Sequence, residues 1–166
     1  MWDAGYLASI AVPDQSGSRL STAGAAAYLK QFKQQGIEEI GRDLSLALFD
    51  LDLHGTPYDG RTLEQRLDDA RERCGYWPLA DFEHPAHAFD HLVSGYDAGY
   101  YLWADVHAFD LFTRFETNGL LDRATGQALA QALFEPGASR PLREGLEAFL
   151  GRAPSHAPYL SWHGLA

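Results

Sequence analysis

The chain has 166 residues, the size of one ordinary domain, and its 46% apolar and 13% aromatic content excludes disorder driven by low hydrophobicity. The charge balance is acidic, 23 Asp and Glu against 13 Lys and Arg, and no stretch gathers the basic residues into a phosphate-tracking stripe, so no nucleic acid partner is expected. Cys74 is the only cysteine, which excludes an internal disulfide and a four-thiolate zinc site and suits a reducing, cytoplasmic setting.

Residues 1–12 are mildly apolar but lack the basic leading region of a signal peptide. No window reaches the ~20 consecutive apolar residues of a membrane-spanning helix, so no membrane partner is expected. Residues 13–20, Pro-Asp-Gln-Ser-Gly-Ser-Arg-Leu, are polar and turn-forming. Residues 1–20 therefore read as an N-terminal arm and residues 21–166 as a single helical domain. Ser21 or Thr22 caps a first predicted helix through Ala25, Tyr28, Leu29 and Phe32, which Gly36 ends in the left-handed conformation. A second helix is predicted over residues 37–53. Its stripe Ile37, Ile40, Leu44, Leu48 and Leu51 is flanked by Leu46, Phe49 and Leu53, an apolar surface that suits either a central core helix or docking on another chain. His54-Gly55-Thr56-Pro57 breaks the pattern. Thr62 then starts a charged helix over Leu63–Arg73, with Glu64, Arg66, Asp68, Asp69, Arg71 and Glu72 expected on a solvated face.

Residues 82–99 mix His, Pro and Gly and read as loop. From Tyr100 helical spacing returns through Leu102, Val106, Phe109, Phe112 and Phe115, and Asn118-Gly119 terminates it. Asp122 caps the next helix, through Ala128, Leu129 and Leu133 to Pro136-Gly137. Ser139 with Pro141 opens the last, and Gly151 stops it. The tail from Arg152 is expected to be irregular. No alternating strand pattern follows residue 20, so the expected fold is all-α, an orthogonally packed helical domain.

The stretch that carries chemistry is residues 91–106, His-Leu-Val-Ser-Gly-Tyr-Asp-Ala-Gly-Tyr-Tyr-Leu-Trp-Ala-Asp-Val. His91, Tyr96, Tyr100 and Tyr101 supply a protonatable ring and phenolic hydroxyls, donors suited to a developing oxyanion. Gly95 and Gly99 give the backbone freedom to fold over an extended peptide. From spacing alone, tyrosines filling an interface between helices account for the same cluster, and aromatic groups near glycines commonly do so.

The stretch belongs to an ordered series. Upstream stand Leu46-Ala47-Leu48-Phe49-Asp50 and Leu53-His54. Downstream come Phe109-Asp110, Phe115-Glu116-Thr117-Asn118-Gly119, Phe149-Leu150-Gly151-Arg152-Ala153-Pro154 and Gly164-Leu165. Over residues 40–166 this series resembles the C-terminal segment of the zinc metallopeptidase family that includes thimet oligopeptidase, oligopeptidase A and peptidyl-dipeptidase. The family loop has the pattern His, three residues, Gly-Tyr-x-Ala-x-Tyr-Tyr, a small residue, then Tyr-Leu-Trp. The resemblance implies His91, Tyr96 and Tyr101 as catalytic contacts to the transition state, and Gly95, Tyr96, Gly99 and Tyr100 as substrate-binding residues. Here Tyr100-Tyr101 runs straight into Leu102-Trp103, two residues short of the pattern. Either Tyr101 takes the position of the family's oxyanion donor, or that donor is absent.

The resemblance also implies zinc, held in the family by a His-Glu-x-x-His helix and a downstream glutamate. That motif occurs nowhere in this chain. The zinc ligands are therefore expected outside it, and no bound metal is expected from its own residues. The nearest imitation is His87 and His91 at i and i+4, with His84 three positions earlier and Asp81, Glu83 or Asp90 as candidate oxygen donors; Pro85 interrupts the set, and no general-base glutamate follows His87.

The resemblance thus implies the C-terminal substrate-binding lobe of an oligopeptidase-like zinc metallopeptidase, whose partners are a peptide substrate and a zinc-bearing lobe. Without the metal the chain alone is expected to be inactive. The alternative is a non-catalytic helical peptide-binding or interaction module that docks through the helix around residues 44–53, with a homo-oligomer as one way to cover that face. A third reading, a small metallohydrolase built on His84, His87 and His91, requires those rings to meet.

Overall fold

The computed structural model describes residues 3–56, 58–90 and 99–165, the side chains of Gln34, Gln35 and Ile37 excepted. Local caps set most of the helix boundaries. Helix α1 (Ala4–Ile10) starts at Asp3, whose carboxylate accepts from the Tyr6 amide at 2.7 Å. At the head of α2 (Thr22–Gly55) the Ser21 hydroxyl accepts from the Gly24 amide at 3.0 Å. Helix α3 (Leu63–Arg73) opens with a capping box, in which Thr62 and Gln65 each accept from the other's backbone. A single turn, α4 (Pro85–Ala88), follows, and then α5 (Gly99–Asn118). Asp122 caps α6 (Arg123–Leu129) through the Thr125 amide at 2.7 Å. A π turn (Ala130–Phe134) and a 3-10 turn (Gly137–Ser139) lead to α7 (Leu142–Leu150) and α8 (Ala157–His163). Gly119 (φ 111°) and Gly151 (φ 70°) end α5 and α7 in left-handed backbone, as their sequence positions predict. Among the described residues there is no strand, and the fold is all-α.

Three local expectations are corrected. Gly36 does not divide 22–55 into two helices: α2 is continuous, and Gly36 is not among the glycines of positive φ. An interior glycine costs a helix only about 1 kcal/mol relative to alanine, too little to stop one with helix formers on both sides. Residues 82–99 are not all loop, because Pro85 starts α4 at the position where its missing N–H is harmless. The tail is not wholly irregular either, because Tyr159, Trp162 and His163 of α8 pack on Phe109, their ring centroids 5.4, 5.6 and 5.6 Å from it.

The chain divides into two compact units, Met1–Lys33 with Asp105–Ala166, and Gln34–Ala104. In the first, Ala25, Leu29, Leu146, Phe149 and Tyr159 are buried. Its main polar tie is Asp110, wholly inaccessible, which accepts from both terminal nitrogens of Arg152 (3.1 and 2.5 Å) and from the Ser155 amide (2.7 Å).

In the second unit Phe49, Leu67, Ala70 and Ala86 form a core with Leu46, Leu48 and Leu53 against it. The buried side of α2 is thus the Leu46, Phe49 and Leu53 flank. Leu44 and Leu51 of the predicted stripe are 37% and 67% exposed, because α3 packs on the neighbouring flank. Arg66 also departs from the expected solvated face. It is 2% exposed and donates to Asp52 Oδ2 (2.7 Å), Asp59 Oδ1 (2.5 Å) and the Thr56 carbonyl (2.5 Å). It lies between Leu63, Leu67 and Ala70 on the buried stripe of α3, where only a fully satisfied charge is tolerated.

Candidate functional site

Of the residues that the loop motif singles out, Gly99, Tyr100 and Tyr101 form the first turn of α5. His91, Gly95 and Tyr96 lie outside the described residues. Tyr100 and Tyr101 are each 54% exposed, with their rings edge-to-face at 5.7 Å. Successive residues on a helix are set ~100° apart, and these two rings meet edge-to-face from adjacent positions of one turn. Leu102 and Trp103 continue the same helix, so Tyr101 stands immediately before the Leu-Trp pair with no intervening residue.

A second grouping is assembled by the fold. His84 and His87, at the two ends of the α4 turn, stack with ring planes 17° apart and centroids 5.7 Å apart. Glu64, in the first turn of α3, reaches both: its Oε1 lies 2.8 Å from His87 Nε2 and 3.7 Å from His84 Nδ1. The Glu64 carboxyl is held below its usual range, first by a hydrogen bond with its own backbone; burial opposes this as the next largest effect, and the Thr62 hydroxyl and the two imidazoles add to the lowering. The partner is therefore Glu64, and none of the oxygen donors expected near the histidines in sequence, Asp81, Glu83 or Asp90, belongs to the group. Glu64 lies 20 positions before His84, and only the packing of α4 on α3 brings them together, so no spacing rule reports it. Beside His84 opens a cleft of about 540 Å³ lined by Arg42, Arg71, Tyr76, His84 and Phe89; Tyr100 and Tyr101 are not among its lining residues.

Comparison with known proteins gives this chain its place. The family model described as "Peptidase family M3" matches residues 1–165. The chain is 32% identical to the oligopeptidase A of Salmonella typhimurium and 32% identical to that of Escherichia coli, with 99% of it aligned in each case. It is 31% identical, over 75% of its length, to a thimet-like oligopeptidase of Dictyostelium discoideum. The chain belongs to peptidase family M3, and the match takes in residues 1–39 as well as all but the last residue of the 40–166 that the motif series covers. It spans about a quarter of the length of the oligopeptidase A relatives, 25% of each.

The family is zinc-dependent. The donor set of this chain does not fit the family's zinc centre. There is no His-Glu-x-x-His helix, and the one group of three metal-ligating side chains among the described residues, Glu64, His84 and His87, is drawn from two elements with no glutamate following the first histidine. Among the described residues no helix is long and apolar enough to cross a membrane.

Proposed function

We propose that this chain is the C-terminal, substrate-contacting lobe of an oligopeptidase-like metallopeptidase, and that the metal and the residues that activate water belong to polypeptide outside these residues. The observation that carries this reading is the pair Tyr100 and Tyr101, set half-exposed on the first turn of α5 in a chain whose residues 1–165 match the M3 family. Two phenols presented by a helix start are poised to donate to a peptide carbonyl, because a positioned hydroxyl supplies an oxyanion with a hydrogen bond that needs no reorganisation. Tyr101 takes the donor position ahead of Leu102-Trp103, with His91 and Tyr96 as the other transition-state contacts. Gly95 and Gly99 flank the backbone that an extended peptide pairs with. The role is binding and orientation: this chain supplies donors, no nucleophile follows from its own residues, and by itself it does not hydrolyse peptides. A cytoplasmic setting agrees with the single thiol of Cys74.

Calorimetric titration with short unblocked peptides tests the proposal. Saturable binding weakened by Tyr101→Phe, with unchanged circular dichroism, is the expected outcome. Equal affinity in wild type and in Tyr101→Phe would remove Tyr101 from the role.

A second reading rests on Leu44 and Leu51, two exposed leucines one heptad apart on α2. In that reading the chain is a self-associating helical module. Sedimentation at increasing concentration distinguishes the two, since a monomer up to high micromolar concentration excludes it.

A further inference from the structure

We infer that Glu64, His84 and His87 form a binding site for one divalent transition-metal ion of the zinc type, separate from the zinc centre of the family. Two imidazoles and one carboxylate are a ligand set that zinc accepts, with the remaining coordination position left to water. The three donor atoms lie within 4.8 Å of one another. Around an ion at ~2.1 Å from each ligand, tetrahedral donors stand ~3.4 Å apart, so side-chain rotation alone closes the gap. The histidine side chains are 56% and 58% exposed, which leaves room for such rotation on the solvent side.

The backbone beneath the cluster is already fixed. Ala86, between the two histidines, is 4% exposed and packs in the core with Leu67 and Ala70 of α3. Glu64 stands two residues after the Thr62 cap, in the first turn of the same helix. An ion therefore finds its ligands preorganised on two packed elements and need not order a loop. The Glu64 contact to His87 at 2.8 Å also shows that this carboxylate already faces the ring nitrogen that would hold the ion. Once bound, the ion cross-links the start of α3 to α4. Neither the family's zinc motif nor the peptide-contacting tyrosines take part, so the site stands or falls independently of the function proposed above.

The test is titration of the full chain, free of any polyhistidine tag, with zinc chloride by calorimetry and with cobalt chloride by visible absorption. One ion bound per chain is expected, with d–d bands of a mixed nitrogen and oxygen site and a rise in thermal midpoint in the presence of zinc. His87→Ala and Glu64→Gln should each weaken binding about 100-fold or more, since removing a ligand costs at least as much as removing a group that supports one. His84→Ala should do the same, and His156→Ala should leave it unchanged. Circular dichroism confirms that the variants are folded, which the exposure of both histidines favours. Absence of saturable binding, or an affinity that survives His87→Ala and Glu64→Gln, would overturn the assignment.

Discussion

Two glycines within helices of the same unit provide opposite expectations for one substitution. Gly126 sits in α6 with nothing within 4 Å of where a Cβ would stand, whereas a Cβ on Gly145 in α7 would lie 2.6 Å from the Ala132 carbonyl oxygen and 2.8 Å from Leu133 Cδ2. The carbonyl cannot withdraw easily. It belongs to the π turn that the Glu135 amide closes on the Ala130 carbonyl at 2.8 Å, and it accepts from the Arg140 guanidinium at 2.5 Å. Helix propensity alone gives either alanine a gain of about 1 kcal/mol. At Gly126 little opposes that gain, so Gly126→Ala should stabilise by about 0.5–1 kcal/mol and raise the melting midpoint by a few degrees. At Gly145 the intrusion of about 0.8 Å into a backbone oxygen costs some 3 kcal/mol as overpacking, which leaves a net loss of about 2 kcal/mol and a midpoint lower by roughly 4–8 °C. Differential scanning calorimetry and urea denaturation of the two variants beside wild type measure both. A Gly145→Ala protein as stable as wild type would refute the claim that α7 approaches the π turn through a gap only glycine leaves.

Arg66→Met keeps the side-chain volume but removes the donors that tie Asp52, Asp59 and the Thr56 carbonyl to α3; it should cost about 2–3 kcal/mol in urea unfolding, and a loss below 0.5 kcal/mol would contradict the network's role. His163 packs on Tyr159 at 4.5 Å, and burial holds its pKa below the ordinary 6.5, reinforced by Lys33 and opposed by Asp105. With the folded value depressed, the unfolded chain takes up the proton first, so this contribution to stability is complete above pH 6.5 and declines as pH falls through the window beneath it. The wild type should therefore lose more stability between pH 7.5 and 5.5 than His163→Phe does, and equal losses measured by denaturation at the two pH values would exclude the effect.

Much of the fold was legible because it is written locally. Ser21, Thr62 and Asp122 each cap the helix their side chain precedes, and Gly119 and Gly151 each take the positive φ that ends one. What was not legible depends on partners distant in the chain. Gly36 carries the residue type of a terminator, but whether the helix stops there depends on competing contacts that the spacing does not reveal. The helix at 157–163 exists because Phe109 gives its aromatics a surface. Arg66 could have been found: its position at three after Leu63 and four before Ala70 places it on the apolar stripe, and Asp52 and Asp59 upstream were available to neutralise it. For the candidate site, the sequence singled out the tyrosines of the α5 turn through an ordered series of motifs, which no periodicity would have distinguished from packing aromatics. The Glu64 contact to the histidines arises only from the packing of α4 on α3.

The proposed role is tested most directly by equilibrium dialysis of the folded chain, stripped of metal by chelation, against a labelled short peptide, with mass spectrometry of the peptide on both sides. Saturable retention of the peptide is expected, reduced by Tyr101→Phe, with the peptide intact throughout. No retention, or the appearance of cleavage products from the metal-free chain alone, would contradict it.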